Sequence, residues 1–291
     1  MTTPKLALAT ERGRYYLDPN PAYDGALYPS VTNVLSAAIA KPVLVPWAAK
    51  VTAEYAMDNL GALMKASRDP KNRTEALRDL KAQVRYARED AAELGSRVHT
   101  AAEAHNLGLP VTEDPDVVAF AKQYLQWLAE WGVDIEGDIA ASEASVVHRD
   151  AGYAGTFDLL VWLRSGSGHA RQLWLIDFKT SSTRPATSVY EDHVLQLAAL
   201  RHAKTVWLAN GLEEPMPMAH RSAVLNLRRG EHALMEVVAD RAAFGAFQGA
   251  LSTTRWLHGI DMKTAAVRVA APTPIPEVLA ASSPSALKEV A

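Results

Sequence analysis

Apolar residues recur at alternating steps of three and four along residues 74–105: Leu77, Leu80, Val84, Ala87, Ala91, Leu94 and Val98. That spacing lines one face of a helix, so a long helix over 74–105 is the clearest expectation in the chain. Helix is also expected from Val31, capped by Ser30 or Thr32, over 45–66, and from a cap at Asp114 or Asp116 to Trp131. "SRDPKN" between two of these helices reads as a loop. Beyond residue 138 the pattern changes. "IAASEASVVH", "GTFDLLVWL" and "RQLWLIDFK" are short apolar runs separated by the turn sequences "RDAGY" and "RSGSGHA", and predict three successive strands. Helix returns over 188–210, "HRSAVLNLRR" predicts a fourth strand, and "DRAAFGAFQGALSTTRWLHGI" predicts a closing helix. Residues 1–28, broken by "DPNPAYDG", are expected to be irregular. Residues 269–291, rich in Ala, Pro and Ser, are expected to form a flexible tail. Between them the expectation is one domain over 29–268, with a helical part at 29–135 and an α/β core at 136–268.

The predicted strands carry acids in odd places. Glu143 lies on the first, Asp158 on the second, and Asp177 ends the apolar run of the third, with Lys179 two residues on. A carboxylate at the edge of a buried strand is costly without a partner. Neighbouring strands lie about 5 Å apart, so three such acids would repel one another unless protonated or bridged by a cation. Magnesium takes a few carboxylates and keeps several waters, and manganese can often substitute. Asp177 and Lys179 leave the same face of a strand. An ammonium beside a metal-bound carboxylate suits phosphodiester hydrolysis, because it can orient water and stabilise charge building on a phosphate. The same spacing also suits an ordinary edge salt bridge, with Asp158 capping a turn.

Composition narrows these readings. The 291 residues are nearly half hydrophobic, with a net charge of −3, which suits a globular protein with a sizeable core. There is no cysteine, so disulfides, thiolate catalysis and cysteine-held zinc or iron–sulfur clusters are excluded. No apolar stretch is long enough to span a bilayer, and the N-terminus lacks a basic start followed by an apolar segment. No membrane association and a cytoplasmic location are therefore expected. The net charge argues against coating nucleic acid by bulk charge but leaves room for a local basic groove. Arg78, Lys81, Arg85 and Arg88 form such a row on the long helix, extended by Arg68, Lys71 and Arg73. Phosphates would be drawn there. A solvated face balanced by Glu75, Asp79, Glu89 and Asp90 is the other reading. Trp47, Trp127, Trp131 and Tyr124 read as core rather than as platforms for bases. No phosphate-binding G-x-x-x-x-G-K-[ST] motif is present.

"GTFDLL" followed by "LIDFKTSS" resembles the signature of the PD-(D/E)XK nuclease superfamily, in its RecB-type branch. That branch includes CRISPR-associated RecB-like nucleases and phage recombination exonucleases. Its pattern is a helical His, a Glu, Gly-x-x-Asp, Asp-x-Lys-Thr and a Gln-led helix. His99, Glu143, Asp158 after Gly155, Asp177 with Lys179, and Gln196 match it in order over roughly residues 29–260. The resemblance implies a restriction-endonuclease-like α/β core, a mixed central sheet flanked by helices with a helical N-terminal region. It implies that His99, Asp158 and Asp177 bind Mg2+ or Mn2+, that Glu143 is a metal or water ligand, that Lys179 activates water, and that Gln196 supports the site or contacts DNA. It further implies a DNA exonuclease of phage recombination or repair, with DNA and a single-strand annealing recombinase as partners. The family often carries a Tyr on the turn after the Gln, where this chain has Leu200. CRISPR-associated relatives commonly hold an iron–sulfur cluster, which a chain without cysteine cannot. A non-catalytic DNA-binding scaffold and a sequence-specific endonuclease of the same fold are the alternatives.

Overall fold

The computed structural model describes residues 6–110, 113–164, 170–208 and 212–265. The chain opens with strands β1 (Ala7–Thr10), β2 (Gly13–Leu17) and β3 (Leu27–Pro29), then helices α1 (Val31–Ala38), α2 (Leu44–Asp58), α3 (Leu60–Ala66) and α4 (Pro70–Asn106). Next come α5 (Pro115–Glu130), the short α6 (Ile135–Asp138), and strands β4 (Ile139–His148), β5 (Tyr153–Leu163) and β6 (Gln172–Thr180). Then follow α7 (Glu191–Arg201), β7 (Thr205–Trp207), β8 (Glu213–Pro215), β9 (Arg221–Leu227), β10 (His232–Val237), α8 (Arg241–Gly259) and α9 (Met262–Ala265). The chain divides into two compact units, residues 1–255 and 256–291. In the second, the described residues are the end of α8, α9 and the link between them. The expected tail at 269–291 lies outside the described residues.

The architecture is α/β, a large mixed sheet flanked by helices. Its seven strands run in the order β10-β9-β6-β5-β4-β7-β8. Only the β6–β9 pair is parallel among the described pairs. On one face α1, α7 and α8 bury Val34, Leu197 and Phe247 against Phe157, Leu160 and Leu175. On the other, the end of α4 and all of α5 bury Val98, Phe120 and Trp127 against Leu159, Ile176 and Leu225. Strands covered on both faces read as nearly continuous apolar runs, as β5 and β6 do. Tyr124 and Trp127 are core residues, as expected.

Local signals place several ends. Ser30 caps α1 by accepting from the Asn33 amide, and Asp114 caps α5 by accepting from the Asp116 amide. Three expectations need correction. Residues 1–28 are not irregular: β1, β2 and β3 form an antiparallel sheet. It is tied to the main body by Arg149, whose Nε and Nη2 donate to Asp18 at 2.8 and 2.9 Å while Nη1 donates to Glu213 at 2.9 Å. "SRDPKN" is not a loop throughout: Asp69 caps α4 and Pro70 occupies its first position, where a missing amide costs nothing. The helix expected over 188–210 ends at Arg201, and the β-branched and aromatic "TVW" pairs with β4. The segment "HALMEV", for which no element is expected, forms the edge strand β10 by pairing with β9. In addition, the stripe on α4 enters the core only at its end. Val98 is fully buried, whereas Leu77 and Ala91 are exposed and the first half of α4 packs on α2 and α3 instead.

Candidate active site

The site forms where two strands part. The β5–β6 ladder runs from Leu163↔Gln172 to Leu159↔Ile176 and stops. The next residues are Asp158 and Asp177. β6 continues alongside β9 to Thr180↔Leu227, so β5 alone diverges. Into the opening the Phe178 amide donates to Asp158 Oδ2 at 2.5 Å. A carboxylate thus satisfies a backbone donor that the ladder no longer serves. On the other side, Ser142↔Leu159 and Ala144↔Phe157 set Glu143 opposite Asp158. Glu143 has φ 48°, in the left-handed region, inside a strand. Such a backbone costs about 1–3 kcal/mol and is characteristic of functional sites. Gly155, which leads the Gly-x-x-Asp motif, has a packing reason. A Cβ there would stand 2.7 Å from Leu200 Cδ2 and 3.1 Å from Val31 Cγ2, so only glycine lets α1 and α7 close on β5.

α4 delivers His99 from one face of the sheet. One turn earlier, a Cβ on Gly95 would lie 3.2 Å from Thr180 Oγ1, so the helix approaches β6 closely at that point. His99 Nδ1 sits 3.2 Å from Glu143 Oε1 and 3.2 Å from Asp158 Oδ1, and its ring lies edge-on to Phe178. Burial disfavours charge on His99, but the two carboxylates outweigh it and hold its pKa well above the ordinary value. Burial raises the Glu143 pKa, with the charges of Asp158 and Glu103 adding to it against the pull of His99. For Asp158, burial pushes up but His99, Lys179 and the Phe178 amide hold the pKa below normal. The ligand atoms of His99, Glu143 and Asp158 all lie within 4.8 Å of one another. One imidazole nitrogen and two carboxylates converging from three elements fit a divalent cation.

α7 delivers Gln196 from the opposite face. Gln196 Nε2 donates to Asp177 Oδ1 at 2.7 Å, Lys179 Nζ donates to Gln196 Oε1 at 3.1 Å, and Lys179 Nζ lies 2.5 Å from Asp177 Oδ2. The three side chains close a ring. Burial pushes the Asp177 pKa up to about 6, with Asp158 adding and Lys179 opposing. Burial works against charge on Lys179, yet Asp177 and Asp158 raise its pKa, so it is an ammonium.

Of the residues expected to carry chemistry, His99, Glu143 and Asp158 form one cluster, and Asp177, Lys179 and Gln196 form a second beside it. Asp177, expected among the metal ligands, accepts a hydrogen bond from Gln196 at Oδ1, while its buried Oδ2 lies beside the Lys179 ammonium without a hydrogen bond, and it is not grouped with His99, Glu143 and Asp158. Arg78, Lys81, Arg85 and Arg88 are exposed on α4, away from both clusters. Several supporting residues escaped the sequence reading. Tyr124 donates to Asn106 Oδ1 at 2.7 Å, Asn106 to Ser142 Oγ at 3.1 Å, and Ser142 to the Asp158 carbonyl at 3.3 Å. Glu103 and Asn106 follow His99 by four and seven residues, a helical spacing that could have flagged them. Buried Arg228 donates to the carbonyls of Lys179, Arg184 and Pro185, fixing the segment after Lys179. No local signal marks that role.

No protein-family model and no curated protein matches the chain. Among solved structures it is similar to "Crystal structure of SSO0001", with 15% identity over 56% of this chain and 71% of that chain and a TM-score of 0.28. A likeness of that size says nothing about chemistry. Among the described residues, no helix is long and apolar enough to cross a membrane.

Proposed function

We propose that the chain is a metal-dependent nuclease of PD-(D/E)XK type that hydrolyses phosphodiester bonds in DNA. The observation that carries this reading is the convergence of His99, Glu143 and Asp158 at the opening between β5 and β6, with the Lys179 ammonium beside them. His99, Glu143 and Asp158 would hold the cation, and the imidazole nitrogen favours Mn2+ more than an all-oxygen set would, with Mg2+ still accommodated. A bound divalent cation supplies positive charge to a phosphate oxygen and makes water easier to deprotonate. Lys179, held by Asp177 and Gln196, presents a fixed ammonium to the phosphate and to the charge that builds on it during attack. Glu143 and Asp158 orient His99, and the relay from Tyr124 through Asn106 and Ser142 steadies the strand that carries Asp158.

The sequence resemblance extends the proposal to an end-dependent exonuclease in recombination or repair, acting in the cytoplasm and partnered by a single-strand annealing recombinase. The test is incubation of purified protein with linear and covalently closed circular DNA in Mg2+, Mn2+ or EDTA. Metal-dependent loss of linear DNA alone supports the exonuclease. Cutting of the circle points to an endonuclease at the same site. DNA binding without cleavage in any metal contradicts the nuclease and favours a scaffold.

A further inference from the structure

Residues 60–88 contain eight Lys and Arg against three Asp and Glu, in a chain whose net charge is −3. Positive charge is therefore concentrated at α3 and the first half of α4. Arg78, Lys81 and Arg88 are exposed, and among the described residues they make no ion pair. Arg85 pairs with Glu89 at 3.4 Å and lies over the Tyr86 ring. An open groove of about 940 Å³ runs along this helix, lined by Lys81, Arg85 and Arg88 and, nearer the site, by Glu89, Glu93 and Arg97. Arg97 is engaged by Asp114.

The face matters as much as the charge. At 3.6 residues per turn, Lys81 is five full turns from His99 and points the same way, and Arg78, Arg85 and Arg88 lie within about 60° of that direction. At 1.5 Å per residue, Arg88 is about 16 Å from His99 along the axis and Arg78 about 31 Å. α4 is one continuous helix over this whole distance. The cations thus form a row aimed at the candidate site; Glu89 and Glu93 line the groove between the row and the site, whereas Asp90 points to the opposite side of the helix.

We infer that α4 is a track for duplex DNA, gripping phosphates about 5–9 base pairs from the bond that is cut. This rests on the nuclease reading above. Glu89 and Glu93 repel phosphates between the two ends of the groove, so the duplex is held at the site and at Arg78–Arg88 and not between them. A duplex suits this arrangement because it stays straight over tens of ångströms without being held along its length. The consequence is a step. Substrates too short to reach Arg88 gain nothing from the track, and those that reach Arg78 gain all of it.

The experiment measures kcat/KM for duplexes extending about 3, about 10 and about 20 base pairs beyond a fixed scissile bond, a range chosen to straddle the expected step. The proteins are the wild type, the triple variant Arg78→Gln/Lys81→Gln/Arg88→Gln, and Lys204→Gln as a control for general loss of surface charge. The wild type should favour the two longer duplexes over the shortest by about tenfold or more at low salt, and the triple variant should lose most of that ratio and about three phosphate contacts of salt dependence. Lys204→Gln should keep the wild-type ratio. A triple variant with the wild-type ratio overturns the track, and so does a control that loses the ratio equally. An equal step with single strands overturns the assignment to duplex. If the wild type cleaves nothing, the nuclease reading fails separately, and Kd replaces kcat/KM. A step in Kd that the triple variant loses then upholds the track, and a Kd independent of length overturns it.

Discussion

Strands β4, β5, β6 and β9 carry runs of fully buried residues, including Val146, Leu159, Leu175, Ile176 and Val224. Helices α2 and α3 bury none, and α4 buries none before Val98. Val45, Met57, Leu60 and Met64 stand at least half exposed on them. The two regions therefore carry their functional groups under different constraints. In the core, each polar residue of the candidate site is surrounded by packed neighbours, so its position is set to within hydrogen-bonding distances. In the helical region, Lys and Arg stand in solvent, where reach and sign matter more than position. Rigid strands suit chemistry, and an exposed helix suits holding a long polyanion.

The contrast breaks first at the level of activity. Asp158→Asn should lower metal-dependent cleavage by about 10²–10⁴-fold, whereas Leu60→Ala should change it less than about twofold. Initial rates on linear DNA in Mn2+ decide this, and equal effects would mean that cleavage does not take place at Asp158.

Stability offers the next comparison. Phe157→Ala removes a ring that is 1% exposed and should cost about 3–5 kcal/mol in urea unfolding. Met64→Ala, at 56% exposure, should stay within about 0.5 kcal/mol. A Met64→Ala cost approaching that of Phe157→Ala would show that the helical region has a core of its own.

Glycines sharpen the same point. In the core, Gly155→Ala forces a methyl against Leu200 and Val31 and should cost about 1–3 kcal/mol. In α3, Gly61→Ala meets nothing within 4 Å and should stabilise the protein by up to about 1 kcal/mol, through helix propensity alone. Urea midpoints moving in the same direction for both would remove the distinction.

The smallest effect is on pH dependence, measured in EDTA. Burial raises the Asp177 pKa to about 6. Between the ordinary carboxylate range and pH 6 the folded state keeps a proton that the unfolded chain has lost, so this contribution is full at acid pH and fades as pH rises through 6. Asp177→Asn should remove that fall from the stability–pH curve. An unchanged curve would mean that Asp177 is not held in a raised state.

Much of this was readable in the chain, but unevenly. "IAASEASVVH" is the strand expected, residue for residue, and the caps at Ser30 and Asp114 stand where local chemistry put them. Those signals act within a few residues. The convergence of Glu143 and Asp158 was legible as acids on adjacent strands, and His99 was legible only through the family resemblance; the structure brings the three together. The left-handed backbone at Glu143, the parting of β5 from β6 and the capture of Asp177 by Gln196 depend on contacts distant in sequence. So does the three-stranded N-terminal sheet, whose anchor joins Asp18 to Arg149. The stripe on α4 predicted the helix, which the structure shows over Pro70–Asn106, but not its surroundings. Helical spacing shows that a face is apolar, but not whether a core or two thin helices will cover it.

The most direct test of the central claim separates ion binding from cleavage at the two neighbouring clusters. Mn2+ affinity by calorimetry and DNA cleavage rates would be measured side by side for the wild type, Asp158→Ala and Lys179→Ala. Asp158→Ala should lose both, while Lys179→Ala should still bind Mn2+ and cleave about 10²–10⁴-fold more slowly. Cleavage at the wild-type rate by Lys179→Ala, or undiminished Mn2+ binding and cleavage by Asp158→Ala, would contradict the claim.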